Sequence, residues 1–188
     1  MINQDDSLIE LAAKLQKKRE LRRDLRHRLL DGKGNSAVVV KKLAEYLIER
    51  PELKVVALFS ALRGEVDLLP LLDVMERTWV FPKVKGEVME FYYVKSSEKD
   101  LSPGAYGILE PKADLAKVDI EKVDLFLCPG LGFDRRGGRI GRGMGFYDRT
   151  LEKASPRAVK LGVCFDFQIV DEVEMEAHDV RMNGVIYG

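Results

Sequence analysis

Seven residues, DLFLCPG at 124–130, constrain the fold more than any other stretch. An unbroken apolar run this short, closed by Pro-Gly, reads as a strand buried on both faces, as central strands of parallel sheets are. Around it, stretches of strand character alternate with stretches of helical periodicity. Leu8, Leu11, Ala12, Leu15, Leu21, Leu25 and Leu29 recur at spacings of three and four and predict a helix over 7–30. A second helix covers 37–49 and stops before Pro51, because the residue preceding proline avoids the helical region. VVALFSAL at 55–62 predicts the first strand, and Asp67 is placed to cap a helix over LLPLLDVMERT with Pro70 in its first turn. WVFPKV and VMEFYYV read as strands around a turn at 85–87, and 96–122 as polar loop. Phe146 to Ala154 has helical composition, and VKLGVCF and GVIY supply the last strands. The alternation predicts an α/β fold with a largely parallel sheet and helices on both faces. With 188 residues, no repeat and no linker, the chain reads as one domain over 1–188.

Composition adds exclusions. Acidic and basic side chains balance at 31 each and 46% of residues are hydrophobic, so no global field recommends a nucleic acid or a membrane as partner. MINQDDSLIELAAKL lacks the basic region and apolar run of a secretory signal, and no stretch reaches the roughly 18 continuous apolar residues of a membrane span. A cytoplasmic protein is expected. Cys128 and Cys164 lie in apolar runs, the setting of buried reduced thiols rather than of a disulfide or metal pair.

The apolar strand runs into RRGGRIGRGMGFYD at 135–148, four arginines and five glycines ahead of Phe146, Tyr147 and Asp148. Residues 131–145 leave the carboxyl end of a central strand, where open α/β sheets place ligand crevices, and lead to a helix start whose free backbone donors favour an anion. Gly141, Gly143 and Gly145 let successive amides approach one phosphate chain, while Arg139 and Arg142 neutralise it from either side. Asp148 is out of place in a site for anions alone. Either magnesium lies between, held by one or two carboxylates and nucleotide phosphates, or the aspartate only favours a helix amino terminus; the glycines favour the Mg-nucleotide. A disordered RNA-binding arginine-glycine segment and a plain surface turn compete with this reading. A single copy wedged between strand and helix argues against the first, and the density of glycine and arginine against the second. Lys14, Lys17, Lys18, Arg19, Arg22, Arg23, Arg26 and Arg28 crowd the polar side of the first helix, ordinarily a solvated face. GxxxxGK[ST], GxGxxG and GxSxG patterns are absent, and His27, His178 and the cysteines show no metal-ligand spacing. His178 reads as structural.

PGLGFDRRGGRIGRGMGFYDRTL at 129–151 resembles the signature of the 5-formyltetrahydrofolate cyclo-ligase family, whose members are also called 5,10-methenyltetrahydrofolate synthetases. KRELR at 18–22, VALFSALRGEVDLLPLL at 56–72, GILEP at 107–111 and VDEVEMEAHDVRMNGVI at 170–186 resemble further family elements in the family's order. The resemblance implies a single-domain three-layer α/β/α sandwich with a largely parallel, mixed sheet, similar to the NagB/RpiA/CoA transferase-like fold. It also implies ATP- and Mg-dependent closure of 5-formyltetrahydrofolate to 5,10-methenyltetrahydrofolate, with release of ADP and phosphate through an iminium phosphate. Such chemistry asks for positioning and charge neutralisation and needs no nucleophilic side chain.

By the same resemblance, Lys18, Arg19, Glu20, Leu21 and Arg22 form the amino-terminal ATP element, with Lys18 and Arg22 on one helical face. Arg139, Ile140, Gly141, Arg142, Gly143, Met144, Gly145, Phe146 and Tyr147 match the phosphate loop, with Lys18 and Arg142 as catalytic cations and Asp148 as the magnesium-associated aspartate. Glu65 matches a carboxylate that meets pterin N–H donors. Ser60 and Tyr106 fall at folate-contact positions, and Arg142, Gly143, Met144, Gly145 and Phe146 meet folate as well as ATP. The partners implied are a reduced folate and ATP, with a monomer expected and neither nucleic acid nor membrane. SALRGEVD departs from the usual leucine-proline-rich approach, so Ser60 and Ala61 are expected to make a wider or more polar folate wall. Phe146 stands where tyrosine is typical, and residues 1–10 form an extension expected to be flexible. Two alternatives stand beside this reading: a diverged relative acting on another small N-acyl substrate, and an RNA-binding module built on the basic helix and 135–143.

Overall fold

A computed structural model describes residues 4–104 and 107–188, residues 4–11 by backbone alone. The first helix, α1, spans Gln4–Asp31 and so takes in most of the expected extension. Among the side chains described, the later part of its apolar stripe is the buried part. Leu25 and Leu29 pack with Leu131, Ile140 and Val173, whereas Leu15 is 41% exposed and Lys18, a turn further on, is buried in its place. After a link over 32–35, α2 covers Ser36–Ile48. Its cap is Asn35, whose side chain accepts from the Ala37 amide at 3.0 Å, an arrangement worth about 1 kcal/mol. Val39, Val40, Leu43 and Leu47 form its buried face.

The first strand, β1, is Val55–Ala57, shorter than expected because the chain then leaves the sheet for the RGEVD turn. The Asp67 carboxylate accepts from the Leu69 amide in an Asx turn. The helix therefore starts only after Pro70 and shrinks to one turn, α3, Leu71–Val74. Then come β2 (Thr78–Lys85) and β3 (Val88–Val94), the expected antiparallel hairpin. The polar stretch expected as loop holds α4 (Ser97–Asp100) and a small hairpin of β4 (Leu101–Pro103) and β5 (Leu109–Pro111). The chain continues with β6 (Leu125–Cys128), β7 (Gly132–Asp134), β8 (Arg139–Ile140), α5 (Phe146–Leu151), β9 (Val159–Cys164), β10 (Ile169–Val170) and β11 (Gly184–Tyr187).

The main sheet has the order β11-β9-β6-β1-β2-β3, parallel except for β3. Alternate residues face opposite layers, as strand geometry demands. Val56, Leu58, Leu125, Leu127, Leu161 and Val163 pack with α2, while Ala57, Phe126, Cys128 and Cys164 pack with Leu151 of α5 and with Phe91 and Phe133. The expected α/β/α layering with a largely parallel, mixed sheet is what the chain forms. A second sheet, β10-β7-β8, carries the buried part of α1. Among the described residues no helix is long and apolar enough to cross a membrane.

The connectivity fixes where a ligand belongs. From β1 the chain builds outward to β2 and β3, then returns to the other side of β1 with β6 and builds outward to β9 and β11. Strand order thus reverses between β1 and β6, and in open α/β sheets the crevice beyond the strand ends at such a switch point is the binding site. The RGEVD turn follows β1 there, and the glycine-arginine stretch follows β6 by way of the short strand β7.

Candidate active site

The glycine-arginine stretch divides into two parts with different tasks. Residues 134–140 close the β7–β8 hairpin. Asp134 is 1% exposed, and its Oδ1 accepts from the Arg136 and Gly138 amides while Oδ2 accepts from the Val173 amide, all at 2.8 Å. Burial works against the Asp134 charge, but the three backbone donors outweigh it and hold the pKa below the usual range. Gly137 has φ 86°, and a Cβ there would overlap the Met182 carbonyl. Arg136 pairs with Glu172 at 2.6 Å on the surface. Ile140 is fully buried in the small core, so its side chain does not face the crevice.

Arg139, expected to flank the phosphates, lies beneath the loop with 5% of its side chain exposed. Its Nη2 donates to both Asp148 oxygens at 2.8 Å, and its guanidinium lies 5.4 Å from the Tyr147 ring centre. Asp148 Oδ1 also accepts from the Val180 amide at 3.3 Å. Arg139 thereby aims Asp148. Burial pushes the Tyr147 phenol well above its usual pKa and the Cys128 thiol up to about 12, so both stay neutral.

Residues 141–145 form the open part. From α1, Arg22 Nε donates to the Gly141 carbonyl at 3.2 Å and Arg26 Nη2 to the Arg142 carbonyl at 3.4 Å. In a trans peptide the carbonyl and the next amide point opposite ways, so the Arg142 and Gly143 amides face away from α1. Among the described residues neither amide has a hydrogen-bond partner. Two adjacent amides turned the same way make an anion-binding nest. The helix behind them has six residues, so these loop amides, rather than a helix dipole, are the donors available.

On the opposite side Arg142 reaches Glu65, with Nη2 and Nε at 2.8 and 3.3 Å from Oε1. The Glu65 side chain is 6% exposed, and its Oε2 accepts from the Leu62 amide at 3.0 Å. The segments that follow β1 and, beyond β8, β6 therefore meet through these residues. Ser60 Oγ donates to the Leu109 carbonyl of GILEP, which ties the segment after β1 to the β4–β5 hairpin. The Ser60 hydroxyl proton is engaged in that bond, and Ala61 packs on the main core. Tyr106 lies outside the described residues. Phe146 is half-buried with the Arg149 guanidinium 5.3 Å from its ring centre, and Arg149 donates to the Met144 carbonyl at 3.0 Å. The ring of Phe146 thus holds the arginine that closes the end of the loop, a task that needs no tyrosine hydroxyl.

Lys18 is 7% exposed and lies 2.7 Å from Asp179 and 2.9 Å from Glu176. Burial lowers its pKa, but the hydrogen bonds to the two carboxylates outweigh that and the net shift is upward. Lys17 meets Glu174 at 3.2 Å. Much of the basic run is therefore engaged with the acidic segment 174–179 or with the loop carbonyls. Arg19 and Glu20 are exposed, and Leu21 packs on the small core. Sequence reasoning missed Glu176, Asp179 and Arg26. The signal for the first two was an acidic run, DEVEMEAHD, able to face a basic helix; for Arg26 it was the repeat of four that links Lys18, Arg22 and Arg26.

Among the described residues no group of three His, Cys, Asp or Glu side chains is arranged to hold a metal. The Asp148 oxygens are shared with Arg139 and Val180. This donor set fits a magnesium ion that keeps most of its ligands on phosphates and water, not an ion resident on the protein. A cavity of about 250 Å3 lined by Met144, Asp148, Arg149, Glu152 and His178 adjoins the loop.

Comparison with known proteins places this architecture. The model of the 5-formyltetrahydrofolate cyclo-ligase family matches residues 13–188. A 5-formyltetrahydrofolate cyclo-ligase of Mycolicibacterium smegmatis is 43% identical over 82 residues, 43% of this chain and 42% of that one. The cyclo-ligase of Escherichia coli K12 is 31% identical over 140 residues, 70% of this chain and 76% of the relative. The solution structure of Aquifex aeolicus 5,10-methenyltetrahydrofolate synthetase shares 33% identity, covers 90% of this chain and 89% of its own, and superposes with a TM-score of 0.75. The chain belongs to the 5-formyltetrahydrofolate cyclo-ligase family.

Proposed function

We propose that the protein closes 5-formyltetrahydrofolate to 5,10-methenyltetrahydrofolate at the expense of ATP. The N5-formyl oxygen attacks the γ-phosphorus, ADP leaves, and the formyl carbon becomes an iminium phosphate. N10 attacks that carbon and loses its proton, and phosphate departs with the former formyl oxygen. The observation that carries this reading is the Arg142–Glu65 contact at the strand-order switch, because it brings a phosphate-type loop against a carboxylate suited to paired N–H donors. The Arg142 and Gly143 amides and the Arg142 guanidinium then stabilise the transferring phosphoryl group. Asp148, aimed by Arg139, would hold a magnesium ion carried on the nucleotide, and that ion would supply neutralisation of the phosphate charge. Glu65, the segment at Ser60 and Tyr106 line the pterin. Lys18 reaches phosphate only by exchanging its contacts with Asp179 and Glu176.

Purified protein given 5-formyltetrahydrofolate and Mg-ATP is expected to develop the methenyl chromophore, and to develop none when ATP is omitted. ATP binding without product would point instead to a relative acting on another N-acyl substrate.

A further inference from the structure

We propose that Glu65 has a second task, one that rests on the functional reading above: without folate it holds the Arg142 guanidinium away from the nucleotide, so that folate binding releases Arg142 and the two substrates bind cooperatively. The argument starts from one oxygen atom. A carboxylate oxygen offers about two lone-pair sites, and Glu65 Oε1 already accepts from both Nε and Nη2 of Arg142. Its other oxygen accepts from the Leu62 amide. Oε2 keeps one site and Oε1 none, so a ligand that presents paired N–H donors, one to each oxygen, must displace Arg142 from Oε1. Because Glu65 is almost wholly buried, the pair does not open cheaply by itself: a buried carboxylate stripped of its partner is strongly disfavoured. Incoming pterin donors make the exchange possible by replacing the hydrogen bonds that Arg142 gives up.

The loop is built to let the side chain move while its backbone stays in place. Arg22 and Arg26 hold the carbonyls on either side of the Arg142 α-carbon. Gly143 follows at φ 101° with nothing within 4 Å of where a Cβ would lie, leaving open space beside the arginine. Once freed, the guanidinium lies next to the Arg142 and Gly143 amides and adds its charge to the same anion site. Until folate arrives, the cation most needed for phosphoryl transfer is engaged elsewhere, which withholds catalysis when no formyl acceptor is present.

The test is a calorimetric titration of the wild-type protein with the Mg complex of β,γ-imido-ATP, which cannot transfer its γ-phosphoryl group, with and without saturating 5-formyltetrahydrofolate. Folate is expected to tighten nucleotide binding at least about fivefold, and the nucleotide analogue to tighten folate binding by the same factor, as linkage requires. In Glu65→Gln, which cannot form the ion pair, nucleotide affinity without folate should rise toward the folate-saturated wild-type value, a gain that a misfolded variant does not produce. Equal nucleotide affinity with and without folate, in wild-type protein that demonstrably binds folate, would overturn the inference and leave the functional reading standing. So would weaker nucleotide binding by folded Glu65→Gln. Absence of any folate binding would overturn both.

Discussion

Lys18 and Asp179 meet at 2.7 Å with side chains only 7% and 12% exposed, so one ion pair fastens the long first helix to the far end of the chain. Lys18→Ala leaves Asp179 and Glu176 without their cation and should lower unfolding free energy by about 3 kcal/mol, the lower end for breaking a buried pair. Urea denaturation measures it.

The same pair sets a pH window. Burial raises the Asp179 pKa, but the hydrogen bonds from the Lys18 ammonium and the Glu176 backbone amide outweigh it and the net shift is downward, while that of Lys18 is upward. The Asp179 contribution is complete above its unfolded value of about 3.8 and is lost as pH falls through its lower folded value; that of Lys18 is complete below about 10.5 and is lost as pH rises beyond it. The stability gap between wild type and Asp179→Asn should therefore stay flat from about pH 5 to 9 and shrink below pH 3.8 in melts across the pH range.

Asp134 should be costly to neutralise because its carboxylate holds three backbone amides. In Asp134→Asn one of the three amide donors meets an NH2 group, and the loss should be about 2 kcal/mol, a fall in melting temperature of about 4–8 °C. Differential scanning calorimetry checks it.

Gly137 and Gly143 both adopt positive φ, yet they separate fold from function. Gly137→Ala drives its Cβ into the Met182 carbonyl and should destabilise by more than about 2 kcal/mol. Gly143→Ala meets nothing within 4 Å and should cost about 1 kcal/mol while lowering kcat/KM at least about tenfold, because it stiffens the nest beside Arg142. Denaturation and steady-state kinetics on the two variants distinguish these outcomes.

Arg142→Ala and Asp148→Ala should each lower turnover at least about tenfold, roughly 1.4 kcal/mol in the barrier. Arg139→Met should resemble Asp148→Ala in turnover even though Arg139 is buried, because it removes the group that aims the aspartate. Activity close to wild type in Arg139→Met would show that Asp148 needs no such support.

The layers of the fold were legible because they rest on patterns that survive folding. The apolar run at 125–128 is central, the hairpin of β2 and β3 turns where Lys85 to Glu87 indicated, and α2 lies within one residue of its expected bounds at each end. What was not legible depends on side chains that act across the chain. The repeat of leucines in α1 gave no sign that Lys18 is buried, since only Asp179 and Glu176, over 150 residues away, make that tolerable. RRGGRI resembles a phosphate loop in composition, yet its glycines serve a turn organised by Asp134, a residue whose role shows only once Val173 is beside it. Glu65 and Arg142 were each singled out by resemblance, but their contact depends on the order of β1 and β6 in the sheet.

If the formyl oxygen is activated by phosphorylation in this crevice, its fate is fixed. With 5-formyltetrahydrofolate carrying oxygen-18 in the formyl group, Mg-ATP and the wild-type protein, mass spectrometry of the released phosphate should find one labelled oxygen for every methenyl group formed. Unlabelled phosphate accompanying methenyl product, or label recovered in water, would contradict the phosphoryl-transfer account.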